Sequence, residues 1–242
     1  MLNFSNQSTP NQRPKPDYVI EKNRQFNNIY DKSKPYTMTS KARMYALYQA
    51  VKYIIKANIP GDFVECGVWK GGSTMLIALT LKALKQTSRQ IYLYDTFQGM
   101  SRPTVKDYQL NQPSKKASTI WQQNRKDKYN QWCFTSLSRV KKNMFSTGYP
   151  QNQLVFVKGK VEDSIPRTIP QQISLLRLDT DWYKSTKHEL IHLFPLLSQH
   201  GVLIIDDYGY WAGSKKAVDQ YFTKKPILFN RIDRSAIIAV KT

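Results

Sequence analysis

This sequence predicts an α/β domain on a mostly parallel sheet, and three observations carry that expectation. Two apolar runs, Leu175 to Leu178 and Val202 to Ile205, are broken only by Arg177, and each stops abruptly at carboxylates. Runs of that length fit strands buried on both faces, the kind that parallel sheets contain. A second signal is a strand-like start at Phe63-Val64 that leads through the Gly-bearing ECGVWKGGS into a helical TMLIALTLKALK. Third, strand-like and helix-like stretches follow one another along the chain, as βαβ units require. At 242 residues the chain can bury one full core.

Residues 1–33 are rich in Asn, Gln, Pro and Lys and read as a flexible or loosely docked arm, with the domain proper over 34–242. The first residues lack an apolar h-region, so they do not read as a secretory signal. Thr39 or Ser40 can cap a helix whose apolar positions Met44, Leu47, Val51, Ile54 and Ile55 recur at helical spacing, and Pro60-Gly61 stops it. After Phe63-Val64, Gly67, Gly71 and Gly72 allow close backbone approach, and free amides at the helix start favour an anionic group. Their G-x-x-x-G-G spacing is not the dinucleotide fingerprint, and tight packing would also ask for glycine.

The next strand, IYLYD, ends in Asp95, where an acid can accept from ribose hydroxyls or serve only as a cap. TFQGMSRPT opens an irregular basic stretch, an insertion over about 100–135 that reads as a lid or recognition segment. SLSRVKKNMFSTGYP reads as a helix ending at Gly148, QLVFVKG as a strand, and KVEDSIPRTIP carries Glu162 and Asp163. A helix-length segment follows Leu178 and stops at Gly201. SKKAVDQYF is a further helix, and PILFNRID with SAIIAVK reads as a hairpin closing the sheet's edge.

The formal charge of +20 invites a nucleic-acid reading. Its basic residues are scattered, however, and the densest patch (Lys115, Lys116, Arg125, Lys126, Lys128, Arg139, Lys141, Lys142) carries no RNA- or DNA-binding signature. An anionic substrate, a membrane-proximal glycolipid or plain solubility would explain the charge equally well. Cys66 and Cys133 are too few for a disulfide framework, which fits a reducing cytoplasm. No run approaches the roughly 18 apolar residues of a membrane helix. His188, His192 and His200 fall in one helical stretch, but HELIH lacks the HExxH order and reads as helix surface.

Asp179 and Asp181 follow the first apolar run, and Asp206 and Asp207 follow the second. Ligands of open α/β sheets bind beyond the carboxyl ends of strands. Four carboxylates there repel one another, so a positive group should sit between them, and an all-oxygen site favours Mg²⁺. Either pair alone is also what a helix cap or turn would use.

With these pieces in place the chain resembles the class I S-adenosylmethionine-dependent methyltransferases, and among them the macrocin O-methyltransferase (TylF-like) family of sugar O-methyltransferases. YTMTS, IPGDFVECGVWKGGS, LYDTFQGM, GKVEDSIP, LRLDTDWYKST and IIDDYG carry the resemblance, from about residue 35 to the end. It implies a Rossmann-like seven-stranded sheet with a C-terminal antiparallel pair, a homo-oligomer, and S-adenosylmethionine and Mg²⁺ as cofactors. It further implies that Met38, Glu65, Gly67, Ser73, Asp95 and Glu162 bind the methyl donor. Asp179, Asp206 and Asp207 would be metal ligands, with Asp179 and Asp181 catalytic and Asp181 the general base. The acceptor implied is a sugar hydroxyl, on an anionic molecule if the basic surface meets it. Trp182 and Tyr183 would wall the pocket or belong to the core. The alternative is an RNA-binding or RNA-modifying methyltransferase, against which DTDWY stands where base-directed enzymes carry an [ND]PP[YF]-type motif.

Overall fold

The computed structural model describes residues 18–242. Strands β1 (Asp62–Cys66), β2 (Ile91–Asp95), β5 (Leu154–Lys158), β6 (Ile173–Leu178) and β7 (Leu197–Ile205) are parallel neighbours in the order β5-β2-β1-β6-β7. Antiparallel β9 (Ile237–Val240) pairs with β7, and β8 (Asn230–Arg231) forms the edge, giving the expected seven strands. The remaining strands, β3 (Tyr108–Gln109) and β4 (Gln112–Lys116), pair separately.

Side chains alternate across the sheet. Phe63, Leu93, Leu175 and Ile204 face one core, under α2 (Arg24–Ser33), α3 (Lys41–Lys56), α4 (Gly72–Ala83) and α6 (Leu137–Phe145). Val64, Tyr94, Leu176 and Leu203 face the other, under α7 (Val161–Ser164), α8 (Tyr183–His192) and α9 (Ala212–Phe222). Ser40 is the α3 cap, its side chain accepting from Arg43 N. No helix among the described residues is long and apolar enough to cross a membrane.

Three expectations change. The arm expected over residues 1–33 lies outside the described residues as far as 17, but beyond that the chain is helical: α1 (Tyr18–Lys22), then α2. Phe26, Ile29 and Tyr30 form an apolar stripe that packs into the first core, with Phe26 against Tyr45 and Tyr48. Polar composition hid those few anchors. Phe26→Ala is expected to cost ~3–5 kcal/mol in urea-melt stability, as for a filled core site; a loss below about 1 kcal/mol would mean a loosely held segment.

The Gly201 stop is also displaced. Helix α8 ends at His192 and β7 already begins at Leu197, so His200 belongs to a strand. His200 is left-handed (φ 63) where the β6–β7 register shifts, and a Cβ on Gly201 would lie 2.8 Å from Leu197 Cδ1. The glycine serves a bulge. Finally, the insertion is not irregular: β3, β4 and α5 (Ala117–Gln123) fold there. Asp107, 1 % exposed, anchors it by accepting from Tyr183 N at 2.8 Å, at the start of α8.

Candidate active site

The strand ends are level, with Asp179 N bonded to Cys66 O at 2.8 Å and Asp206 N to Leu178 O at 2.9 Å. Above them opens a cavity of about 570 Å³. Met38, Gly67, Ser73, Asp95, Glu162, Asp179, Asp181, Asp206 and Asp207 all line it. Of the predicted cofactor, metal and catalytic residues, Glu65 does not, and neither Trp182 nor Tyr183 walls this cavity.

Glu65 lies fully buried beneath the cavity. Its carboxylate accepts from the Ser73 and Thr74 hydroxyls at the start of α4 and from the Arg177 guanidinium. It therefore fixes the Gly-bearing turn from below. Gly67 (φ 84) is required by close approach, since a Cβ would meet Asp179 O at 2.0 Å. Helix α4 starts without a side-chain cap at Gly71, leaving its first amides for a ligand anion. Asp95 accepts from Val68 N (2.8 Å), Trp69 N (3.0 Å) and Phe97 N (2.7 Å), so it shapes the turn as well as lining the cavity. Burial raises its pKa, and these amides pull it partly back. Ser185 donates to Glu162 at 3.1 Å.

The four aspartates divide into two sets. In register, Glu65 pairs with Arg177 and Arg177 with Ile204, so by the period of two Asp206 lies on the same side as that arginine. Arg177 Nη2 donates to Asp206 Oδ1 (2.6 Å) and Nη1 to Asp179 Oδ2 (2.8 Å), while Arg43 pairs with Asp206 Oδ2 and, through Nε at 3.0 Å, with Asp233. Both Asp206 oxygens thus accept from guanidinium groups. Burial works against the Arg177 charge, but Asp179, Asp206 and Glu65 together push its pKa well up. The counter-charge expected from a metal is therefore supplied in part by arginine.

Asp179, Asp181 and Asp207 face one another instead, with one oxygen of each within 4.8 Å of the others. Burial, outweighing the Arg177 charge, and the neighbouring carboxylates Asp206 and Asp207 raise Asp179 well above the usual carboxylate range. Burial and neighbouring carboxylates do the same to Asp207, and burial pushes Asp181 up to about 7. Asp207 Oδ2 is buried without a hydrogen-bond partner, a costly state for a carboxylate oxygen. An all-carboxylate set with one orphaned oxygen fits a hard divalent cation. This cluster holds two of the three expected ligands, Asp179 and Asp207, while both oxygens of the third, Asp206, meet the arginines.

Trp69 (φ 48), Cys133 (φ 53) and Asp181 (φ 66), all cavity-lining, hold left-handed backbone that non-glycine residues rarely adopt. Sequence reasoning missed Glu189, fully buried beneath the Asp179–Asp181 turn, where it accepts from Thr180 Oγ1 at 3.1 Å; burial pushes its pKa up to about 8. It also missed Trp132 and Trp211, which line the cavity, whereas Trp182 is a buried neighbour of both.

The macrocin-O-methyltransferase (TylF) family model matches residues 3–239. The demethyldecarbamoylnovobiocin O-methyltransferase of Streptomyces niveus is 31 % identical over 209 residues, 86 % of this chain and 76 % of that protein. The 8-demethyl-8-(2,3-dimethoxy-α-L-rhamnosyl)-tetracenomycin-C 4'-O-methyltransferase of Streptomyces olivaceus is 31 % identical over 186 residues, 77 % of this chain and 67 % of that protein. The solved O-methyltransferase NovP superposes with a TM-score of 0.75 at 29 % identity, covering 86 % of this chain and 82 % of its own.

Proposed function

The chain belongs to the macrocin O-methyltransferase family and is an O-methyltransferase, and from that premise we propose that it transfers a methyl group from S-adenosylmethionine to a hydroxyl of a sugar or glycosylated small molecule, with a divalent cation. The observation that carries the metal part is the carboxylate cluster of Asp179, Asp181 and Asp207, the last with one buried oxygen that no donor satisfies. The sugar is supported by the relative whose printed name specifies a rhamnosyl group.

S-Adenosylmethionine supplies an electrophilic methyl group on a sulfonium, and the cavity volume is that of a small-molecule site. Ser73 and the uncapped start of α4 suit its amino-acid end; Asp95 and Glu162 suit ribose and adenine, with Met38 lining the same cavity. Asp179 and Asp207 would hold the cation, which would make a neighbouring hydroxyl more acidic. Asp181, clustered with both, would be in reach of that hydroxyl and would take its proton. The rest of the task is alignment of acceptor oxygen and methyl carbon, since an in-line displacement needs little covalent help.

The test is a turnover screen in which demethylated cofactor is measured against a set of glycosides and nucleotide sugars. Turnover is expected with Mg²⁺ and its loss in EDTA, restored by adding Mg²⁺ back. Full activity in EDTA would overturn the metal assignment, and turnover confined to alcohols lacking a sugar would overturn the acceptor class.

A further inference from the structure

We infer that Trp132 recognises the acceptor by stacking its indole on the C–H face of a sugar ring whose hydroxyl edge turns toward Asp181 and Asp207. This rests on the reading of the site as a sugar O-methyltransferase. Three tryptophans from separate parts of the chain meet here: Trp132 from the end of the insertion, Trp182 after β6 and Trp211 after β7. Trp182 is 1 % and Trp211 4 % exposed, so both are chiefly support. Trp132 is only half-buried and lines the cavity. Its ring is braced by Trp182 at 5.5 Å and 65°, and by Trp211 at 6.0 Å and 59°.

The backbone of Trp132 is pinned as well. Its N–H donates to Asn130 Oδ1 and its carbonyl accepts from Met100 N, both at 3.0 Å. The following Cys133, with its left-handed backbone, lines the same cavity as Asp181 and Asp207. A rigid aromatic plane in one cavity with acidic groups matches the two chemistries of a pyranose, apolar faces of C–H bonds and an edge of hydroxyls. Such a side chain gives a large contact area at small entropic cost. Trp182 Nε1 is already used by Ser101 O at 3.0 Å, but Trp132 Nε1 donates to nothing among the described residues. It remains available to a sugar oxygen.

The test uses Trp132→Leu and the milder Trp132→Phe in the full chain. With a glycoside that the wild type methylates, Trp132→Leu is expected to raise the acceptor KM about tenfold or more and Trp132→Phe less. Calorimetric affinity for demethylated cofactor should stay unchanged in both, which separates recognition from damage to the fold. Saturation-transfer NMR with methyl α-L-rhamnopyranoside and demethylated cofactor, irradiating the indole protons, should mark C–H protons of one ring face in the wild type and lose them in Trp132→Leu. Unchanged KM and unchanged transfer in Trp132→Leu would overturn the inference. A wild type that methylates only non-sugar alcohols would overturn the function reading itself.

Discussion

Asp207→Asn is expected to lower methyl transfer by at least about 10³-fold while leaving the melting temperature level or higher. One Asp207 oxygen accepts nothing among the described residues, and the contacts of this carboxyl are with the neighbouring carboxyls of Asp179 and Asp181, which an amide can still meet. The substitution also removes one of the carboxylates whose crowding and burial hold Asp207 and Asp179 well above their ordinary pKa. Relief of that repulsion favours the fold, as often happens when a strained functional group is neutralised. Asp179→Asn should share the catalytic loss without the gain in stability, because Asp179 also receives the Arg177 guanidinium. Kinetics at saturating cofactor, a thermal melt and calorimetry with demethylated cofactor read these effects separately. Activity within about tenfold of wild type in Asp207→Asn would remove that carboxylate from the chemistry.

Arg177→Met should have the opposite signature, a stability loss of about 3–5 kcal/mol, because it strands carboxylates around a fully enclosed cation site. Arg177 is 1 % exposed and Glu65 0 %, so water cannot replace the lost charge. Arg43 still reaches Asp206 but not Glu65. The carboxylates left behind must take up protons to remain buried, so the folded variant binds more protons than its unfolded chain. Stability then falls as pH rises. The deficit in urea melts should be larger at pH 8 than at pH 5, and Glu65→Gln in the same chain should recover part of it. Arg177→Lys should fall between, since one ammonium cannot serve several carboxylates as a guanidinium fork does. Equal stability of Arg177→Met and wild type at neutral pH would mean that the acids do not depend on this charge.

That arginine marks how far the sequence could be read. The parallel strands announced themselves by apolar runs, and the residue interrupting one of them was Arg177. The interruption was visible, but its partner was not: the pairing of Glu65 with Arg177 depends on the register of β1 against β6, which joins residues far apart in the chain. The same register places Asp206 beside arginine, although Asp206 and Asp207 are indistinguishable as letters. The carboxylates, Gly67 and Asp95 were legible because strand ends and tight turns have local signatures. Trp132 was not, because the insertion carries no apolar periodicity and its place on the wall of the cavity that Asp181 also lines comes from tertiary anchors such as Asp107 on the start of α8. The docked helix α2 was hidden for a similar reason, its few buried aromatics diluted among Asn, Gln and Lys.

A crystal grown with Mn²⁺ and demethylated cofactor, measured for anomalous scattering, bears most directly on the chemistry assigned to the strand ends. One peak in contact with the Asp179 and Asp207 carboxylates, with Asp181 beside it and Arg177 still holding Glu65, is the result expected. An empty position there, with Asp207 Oδ2 satisfied by a protein donor and methyl transfer undiminished by chelator, would contradict it.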